Sequence, residues 1–177
     1  MTEFLIFNLY GPMAAWGDIA VGEQRPTASH PSKSAVIGLV AAALGIRRNQ
    51  EDDLRELNKA YGFSVRINAP GELLRDYHTT QVPPDKRKAV YYTRRAELEA
   101  DSLYTILSSR DYRMEASYTI ALWILNANPS YAFTELVRAL REPKLPLYLG
   151  RKSCPLAVPL APDIISAETL KAAFDKC

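Results

Sequence analysis

The sequence predicts an α+β fold: a ferredoxin-like (RRM-like) split βαβ domain carrying an inserted β-hairpin thumb. Three observations predict it. Two strongly apolar runs rich in β-branched and aromatic residues, "EFLIFNLYG" and "ASYTIALWIL", read as well-buried strands. A segment with recognisable helix ends follows each of them. Between the halves lies a long polar stretch with no sustained period, about residues 75–113, which reads as an insertion.

The elements follow in order. The first strand stops at Gly11-Pro12, and a polar loop runs to about Ser32. Ser32 or Ser34 can cap a helix that ends at Gly45, a residue suited to the left-handed conformation after a helix. That helix is apolar through Val36, Ile37, Leu39, Val40 and Leu44, with Gly38 and the alanines allowing close backbone approach. Glu51, Asp52 and Asp53 complement the dipole at the start of a second helix through Ala60. "FSVRINA" alternates as a half-buried strand should. Within the insertion, "AVYYT" and "LYTIL" can pair as the hairpin. After the second strong strand, Asn128 as cap and Pro129 at the first helical position open a helix that stops before Pro143. "PLYLG" reads as the last core strand, and "ISAETLKAAFDK" as a terminal helix capped by Ser166. The resulting domain covers residues 1–160, with 161–177 as a C-terminal helix or truncated extension.

Composition bounds the function. The 177 residues are 47% hydrophobic and 24% charged, enough for a real core in an ordinary globular protein. A formal charge of +2 is too small to reveal a polyanionic partner, so local clustering has to decide. Cys154 and Cys177 form no CxxC pair and no disulfide framework, which suits a reducing cytoplasm. The N-terminus lacks a basic leader region, and the apolar run from Ala35 to Ile46 is too short to span a bilayer. A soluble cytoplasmic protein without membrane contact is expected.

Four segments carry candidate chemistry. From Arg25 to Arg48 the chain contains no acid, and it leads into a helix N-terminus whose free N–H groups can seat a phosphate. Lys33, Ser32 and Ser34 would complete that seat, with Arg25 and His30 on the approach; a plain cap and a solvated lysine fit the same residues. In "DKRKAVYYTRR", the cations Lys86, Arg87, Lys88, Arg94 and Arg95 surround Tyr91 and Tyr92, a pattern that suits phosphates and stacked bases. A solvated hairpin with cross-strand tyrosines fits equally, and Glu97, Glu99 and Asp101 blunt the field. In "YLGRKSCP", Gly150 permits a positive φ or close backbone approach while Arg151, Lys152 and Ser153 present donors. An ordinary strand-ending turn explains it as well.

The fourth segment is "RDYHTT". Tyr77 and His78 side by side open an alternative function, metal-independent RNA cleavage, with the histidine taking the 2′-OH proton. A binding or packing histidine is the competing reading. His30 and His78 are the only histidines and neither has metal-ligand spacing, so no zinc site is expected. P-loop, GxGxxG and GxSxG patterns are absent, and no cofactor is implied.

Five blocks in order, "GPMAAWG", "RPTASHPSKSAVIGLVAAALGIRR", "LRDYHT", "ASYTIALWIL" and "YLGRKSCPLAVPL", resemble the CasD family, the crRNA 5′-handle subunits of type I-E CRISPR Cascade. The resemblance covers most of Met1 to Leu160. It implies a ferredoxin-like RAMP domain with a thumb, acting as a non-catalytic subunit. Such a subunit binds the crRNA 5′ handle, caps the foot of a filament of CasC-type backbone subunits and contacts the large subunit of Cascade. It meets target DNA only indirectly. Carried over by position, Arg25, Lys33 and Ser34 would line the handle site. Arg75, Tyr77, His78 and Thr79 would sit at the thumb base, with Arg110 and Tyr112 returning opposite them. Gly150, Arg151 and Lys152 would form the loop beneath the handle. The thumb sequence matches loosely, and the family continues into a β-rich C-terminal portion where this sequence stops at Cys177.

Overall fold

The structure is a computed structural model and describes residues 1–84, 90–126 and 129–177. Its first sheet is antiparallel, in the order β4 (Tyr61–Ala69), β7 (Ser117–Ile124), β1 (Thr2–Tyr10) and β8 (Asp163–Ala167). Strand β1, Thr2–Tyr10, buries Phe4, Leu5, Ile6 and Phe7 in succession, because both faces of the sheet are covered. Leu5, Phe7 and Leu9 face the main core with Val36 and Val40 of α1 (Lys33–Leu44) and Leu136 and Leu140 of α4 (Phe133–Arg141), while Phe4 and Ile6 face Ala173 and Phe174 of α5 (Leu170–Asp175). Helix α1 spans Lys33–Leu44. Ser32 is its cap, accepting from the Ala35 N–H at 3.3 Å, and Gly45 closes it at φ 83°. Ser34 lies one residue inside the helix, its hydroxyl 2.9 Å from that of Ser32. Gly38 is exposed and a Cβ there would meet nothing within 4 Å, so it does not serve close packing as expected.

Helix α2, Glu51–Ala60, leads into β4, Tyr61–Ala69, which pairs with β7, Ser117–Ile124. The same two chain passes then pair a second time. Gly71, at φ 64°, turns β4 into β5, Glu72–Val82, which pairs in full register with β6, Tyr104–Met114. The inserted hairpin is therefore built from β5 and β6. The expected arm "AVYYT" supplies no strand among its described residues; Thr93 instead caps the short helix α3, Arg94–Leu98, through the Ala96 N–H. The true first arm, "ELLRDYHTTQV", hides its strand character because most of it is exposed on both faces. On its other edge β6 binds β2, Met13–Ala14, and in parallel β3, Gln24–Arg25, two short strands inside the expected polar loop.

Three further expectations at the C-terminal side give way. Helix α4 is Phe133–Arg141 rather than starting at Pro129, because the Glu135 carboxylate accepts the Ala132 N–H at 2.9 Å and fixes the helix start there; Asn128 lies outside the described residues. "PLYLG" forms no core strand: Pro143 and Pro146 remove ladder donors and only an isolated bridge, Tyr148 to Pro155, forms. The last strand of the sheet is β8, Asp163–Ala167, paired with β1. Ser166 thus lies in a strand, and Thr169 caps α5, Leu170–Asp175, by accepting the Ala172 N–H at 3.1 Å. Pairing with the exposed edge of β1 overrides the helical preference of the segment.

Candidate nucleic-acid interface

The candidate residues converge on β6, whose consecutive residues Arg110, Asp111 and Tyr112 alternate between the faces of the hairpin. Asp111 is 7% exposed and accepts two hydrogen bonds from Arg75 on β5, Nε to Oδ1 at 2.8 Å and Nη2 to Oδ2 at 3.0 Å. Those bonds hold the Asp111 carboxyl below its usual range, against burial, with the Arg75, Arg151 and Arg113 charges adding to the effect. Asp111 in turn raises the Arg75 guanidinium. An acid flanked by arginines in "RDYR" is the one signal that would have exposed this pairing in advance.

The loop after Leu149 reaches the same place. Gly150 has φ 86°, and a Cβ there would lie 1.9 Å from the Ala15 carbonyl oxygen, so only glycine lets the loop seat against β2 and its continuation. Arg151 follows and donates to two backbone carbonyls, Nη1 to Asp111 at 3.2 Å and Nη2 to Arg25 at 3.0 Å. Its guanidinium carbon also sits 4.7 Å from the centroid of the Tyr112 ring, which is buried. Arg25 lies beside Arg110 in the parallel β3–β6 pairing, and its Nη1 donates to the Gly22 and Gln24 carbonyls at 2.6 and 2.9 Å. The Arg110 and Lys152 side chains make no hydrogen bond or ion pair among the described residues.

The remaining expected residues divide between the two faces of the hairpin and the α1 N-terminus. Tyr77, 76% exposed, shares one hairpin face with Arg75 and Thr79, whereas His78 shares the opposite face with Asp76. His78 Nδ1 lies 3.6 Å from Asp76 Oδ2. It opens onto a cleft of about 510 Å³ shared with Thr80, Arg94 and Thr105. Arg94 is engaged there by Glu97 at 2.6 Å and by the Gln81 carbonyl. Lys33 and Ser34 stand at the α1 N-terminus, joined to the β6 cluster by no hydrogen bond or ion pair among the described residues. Lys86, Arg87 and Lys88 lie outside the described residues, and Tyr91 and Tyr92 lie in the coil before α3. Among the described residues no group of three or more His, Cys, Asp or Glu side chains is placed to hold a metal. No helix among them is long and apolar enough to cross a membrane.

Residues 4–176 match the family described as CRISPR-associated protein (Cas_Cas5). The chain belongs to that family. Within it, the chain is similar to the Escherichia coli (strain K12) CRISPR system Cascade subunit CasD, at 36% identity over 170 residues, covering 90% of this chain and 70% of the relative. The resemblance drawn from the five sequence blocks therefore holds. Among solved structures, a chain of a CRISPR RNA-guided surveillance complex superposes with a TM-score of 0.65 at 31% identity, covering 89% of this chain. The chain spans 61% of that chain's length. A second solved structure, described as a Cas protein, gives a TM-score of 0.64 at 29% identity, covering 97% of this chain and 69% of that one. The mixed α+β architecture with largely antiparallel sheets is thus shared with those solved chains.

Proposed function

We propose that this chain is a non-catalytic subunit of a type I-E CRISPR surveillance complex. In this reading it binds the crRNA 5′ handle and caps the foot of the backbone filament in the cytoplasm, supporting RNA-guided antiviral DNA recognition. The observation that carries the reading is the 36% identity to CasD over 90% of the chain. The cations gathered around β6 and the Gly150 loop support it, because RNA affinity comes mainly from phosphate neutralisation. A CasC-type backbone subunit and the large subunit are the protein partners, and target DNA is met only through them. The order β4-β7-β1-β8, with α1 and α4 on one face, supports a ferredoxin-like unit over residues 1–160 that takes its edge strand from the following segment. The β5–β6 hairpin is its thumb.

The endoribonuclease alternative loses ground on geometry. Tyr77 and His78 point to opposite faces, and the guanidinium lining the histidine cleft, that of Arg94, is engaged by Glu97. The test is one reaction: the purified chain with a 5′-labelled crRNA precursor in EDTA, with and without backbone subunits. Intact RNA bound more tightly when backbone subunits are present is the expected result. A discrete cut within the repeat, abolished by His78→Ala, would overturn the non-catalytic reading.

A further inference from the structure

The cations of the candidate interface differ in what their guanidinium and ammonium groups already do. Arg151 has both Nη atoms committed to backbone carbonyls, on Asp111 and on Arg25, and one guanidinium face laid over Tyr112. Arg75 has Nε and Nη2 committed to the two oxygens of Asp111, and the carboxylate cancels its charge at close range. Turning Arg75 outward to a phosphate would orphan the carboxylate of buried Asp111, and turning Arg151 outward would free the Asp111 carbonyl and uncover the buried Tyr112 ring. Arg110 and Lys152 carry no such commitments among the described residues. Arg110 stands in the middle of the sheet, beside Arg25 on β3 and opposite Asp76 on β5, and Lys152 is exposed next to Arg151.

We infer that Arg75 and Arg151 are positioning residues, with Asp111 as the pivot between them, and that Arg110 and Lys152 make the phosphate contacts. The inference rests on the RNA-binding reading above and divides its labour. Asp111 joins the two halves: its side chain holds Arg75, and its carbonyl holds Arg151. Through Arg151 the Gly150 loop is tied to β3 and β6, so Lys152 and Arg110 are presented from one fixed frame. An acid inside a basic surface is then a support that orders the neighbouring cations.

The test is the salt dependence of binding between the full chain and a fluorescent single-stranded RNA carrying the repeat-derived 5′ handle. Each phosphate contact contributes about 0.7 to the slope of log K against log salt for single strands. Arg110→Gln and Lys152→Gln are expected to lower the slope by about that amount each. Arg151→Lys keeps the charge but cannot span two carbonyls and cover a ring. It is expected to weaken binding on the order of tenfold with the slope unchanged. Asp111→Asn should behave in the same way, and it provides the test should Arg151→Lys fail to fold. Full affinity in Arg151→Lys together with a slope loss of about 0.7 in Arg151→Gln would overturn the inference and make Arg151 a phosphate contact. A slope loss in Asp111→Asn would overturn it independently. A wild-type chain with no measurable affinity for the handle RNA at low salt would instead sink the RNA-binding reading itself.

Discussion

Arg75 and Asp111 face each other across the β5–β6 ladder and are joined by two hydrogen bonds, at 2.8 and 3.0 Å. The pair sits at the base of the hairpin, where β6 also takes up β2 and β3. The arginine side chain is 55% exposed and the aspartate 9%. Solvent therefore reaches one partner and is nearly excluded from the other. The same carboxylate that neutralises Arg75 fixes the strand residue whose carbonyl receives Arg151.

The first prediction follows from the direction in which Asp111 is shifted. Its carboxyl is depressed in the folded chain, chiefly by the Arg75 hydrogen bonds. A depressed acid contributes stability that is present above its unfolded pKa, about 3.9, and is lost as pH falls through the lower folded value. Asp111→Asn should therefore melt several degrees below wild type at pH 7. The gap should narrow only below about pH 4. Thermal melts from pH 7 to pH 3 measure it, and a gap already closed at pH 5 would contradict the assigned pairing.

Two glycines should respond in opposite ways. Gly150 combines φ 86° with a position where a Cβ would lie 1.9 Å from the Ala15 carbonyl oxygen, so Gly150→Ala should cost about 3 kcal/mol. Gly38 sits in α1 with open space around it, and Gly38→Ala should gain about 0.5–1 kcal/mol of helix stability. Urea unfolding of both variants decides. A destabilised Gly38→Ala would contradict the open space around that helix position.

The central strands and the first two helices were legible because their signals are local. β1 and β7 are continuous apolar runs, and α1 has a serine cap and a C-terminal glycine. The second hairpin arm was legible in "LYTIL", whereas the first escaped because a strand exposed on both faces shows no alternation, as in "ELLRDYHTTQV". β8 escaped because its strand state is conferred by pairing with β1 rather than by its own composition. In the candidate interface, Arg25, Arg110 and Arg151 were legible as cations. Their neighbourhood was not, since it arises from a parallel pairing of β3 with β6 and a loop that arrives from residue 150. Asp111 was passed over because an acid among arginines reads as a blemish in a basic segment until its partner is seen.

Tyr61 offers a third prediction. Its ring is fully buried, stacked against Phe133 with centroids 6.0 Å apart, and its hydroxyl donates to the Tyr131 carbonyl. Burial pushes its pKa up to about 12. Folding therefore favours the protonated phenol, so this contribution is present below about pH 10 and is lost as pH rises through the folded value. Tyr61→Phe should cost about 0.5–1.5 kcal/mol at pH 7 by leaving the carbonyl unpaired. It should also flatten the loss of stability between pH 10 and 12, which wild type and variant denaturation curves at pH 7 and 11 would reveal.

Ser32 and Lys33 separate the two readings of the α1 N-terminus. Ser32 accepts the Ala35 N–H, so Ser32→Ala should cost about 1 kcal/mol of stability whether or not RNA binds there. Lys33 is the first residue of the helix, and the first turn holds no acid. Lys33→Glu places a negative charge at the positive end of the dipole and should stabilise the free chain by about 0.3–1 kcal/mol. The same reversal sets a carboxylate against an incoming phosphate and should weaken RNA binding on the order of tenfold at low salt. A higher melting temperature with weaker binding is the expected combination. Unchanged binding would leave Ser32 as a cap and remove this helix end from the RNA surface.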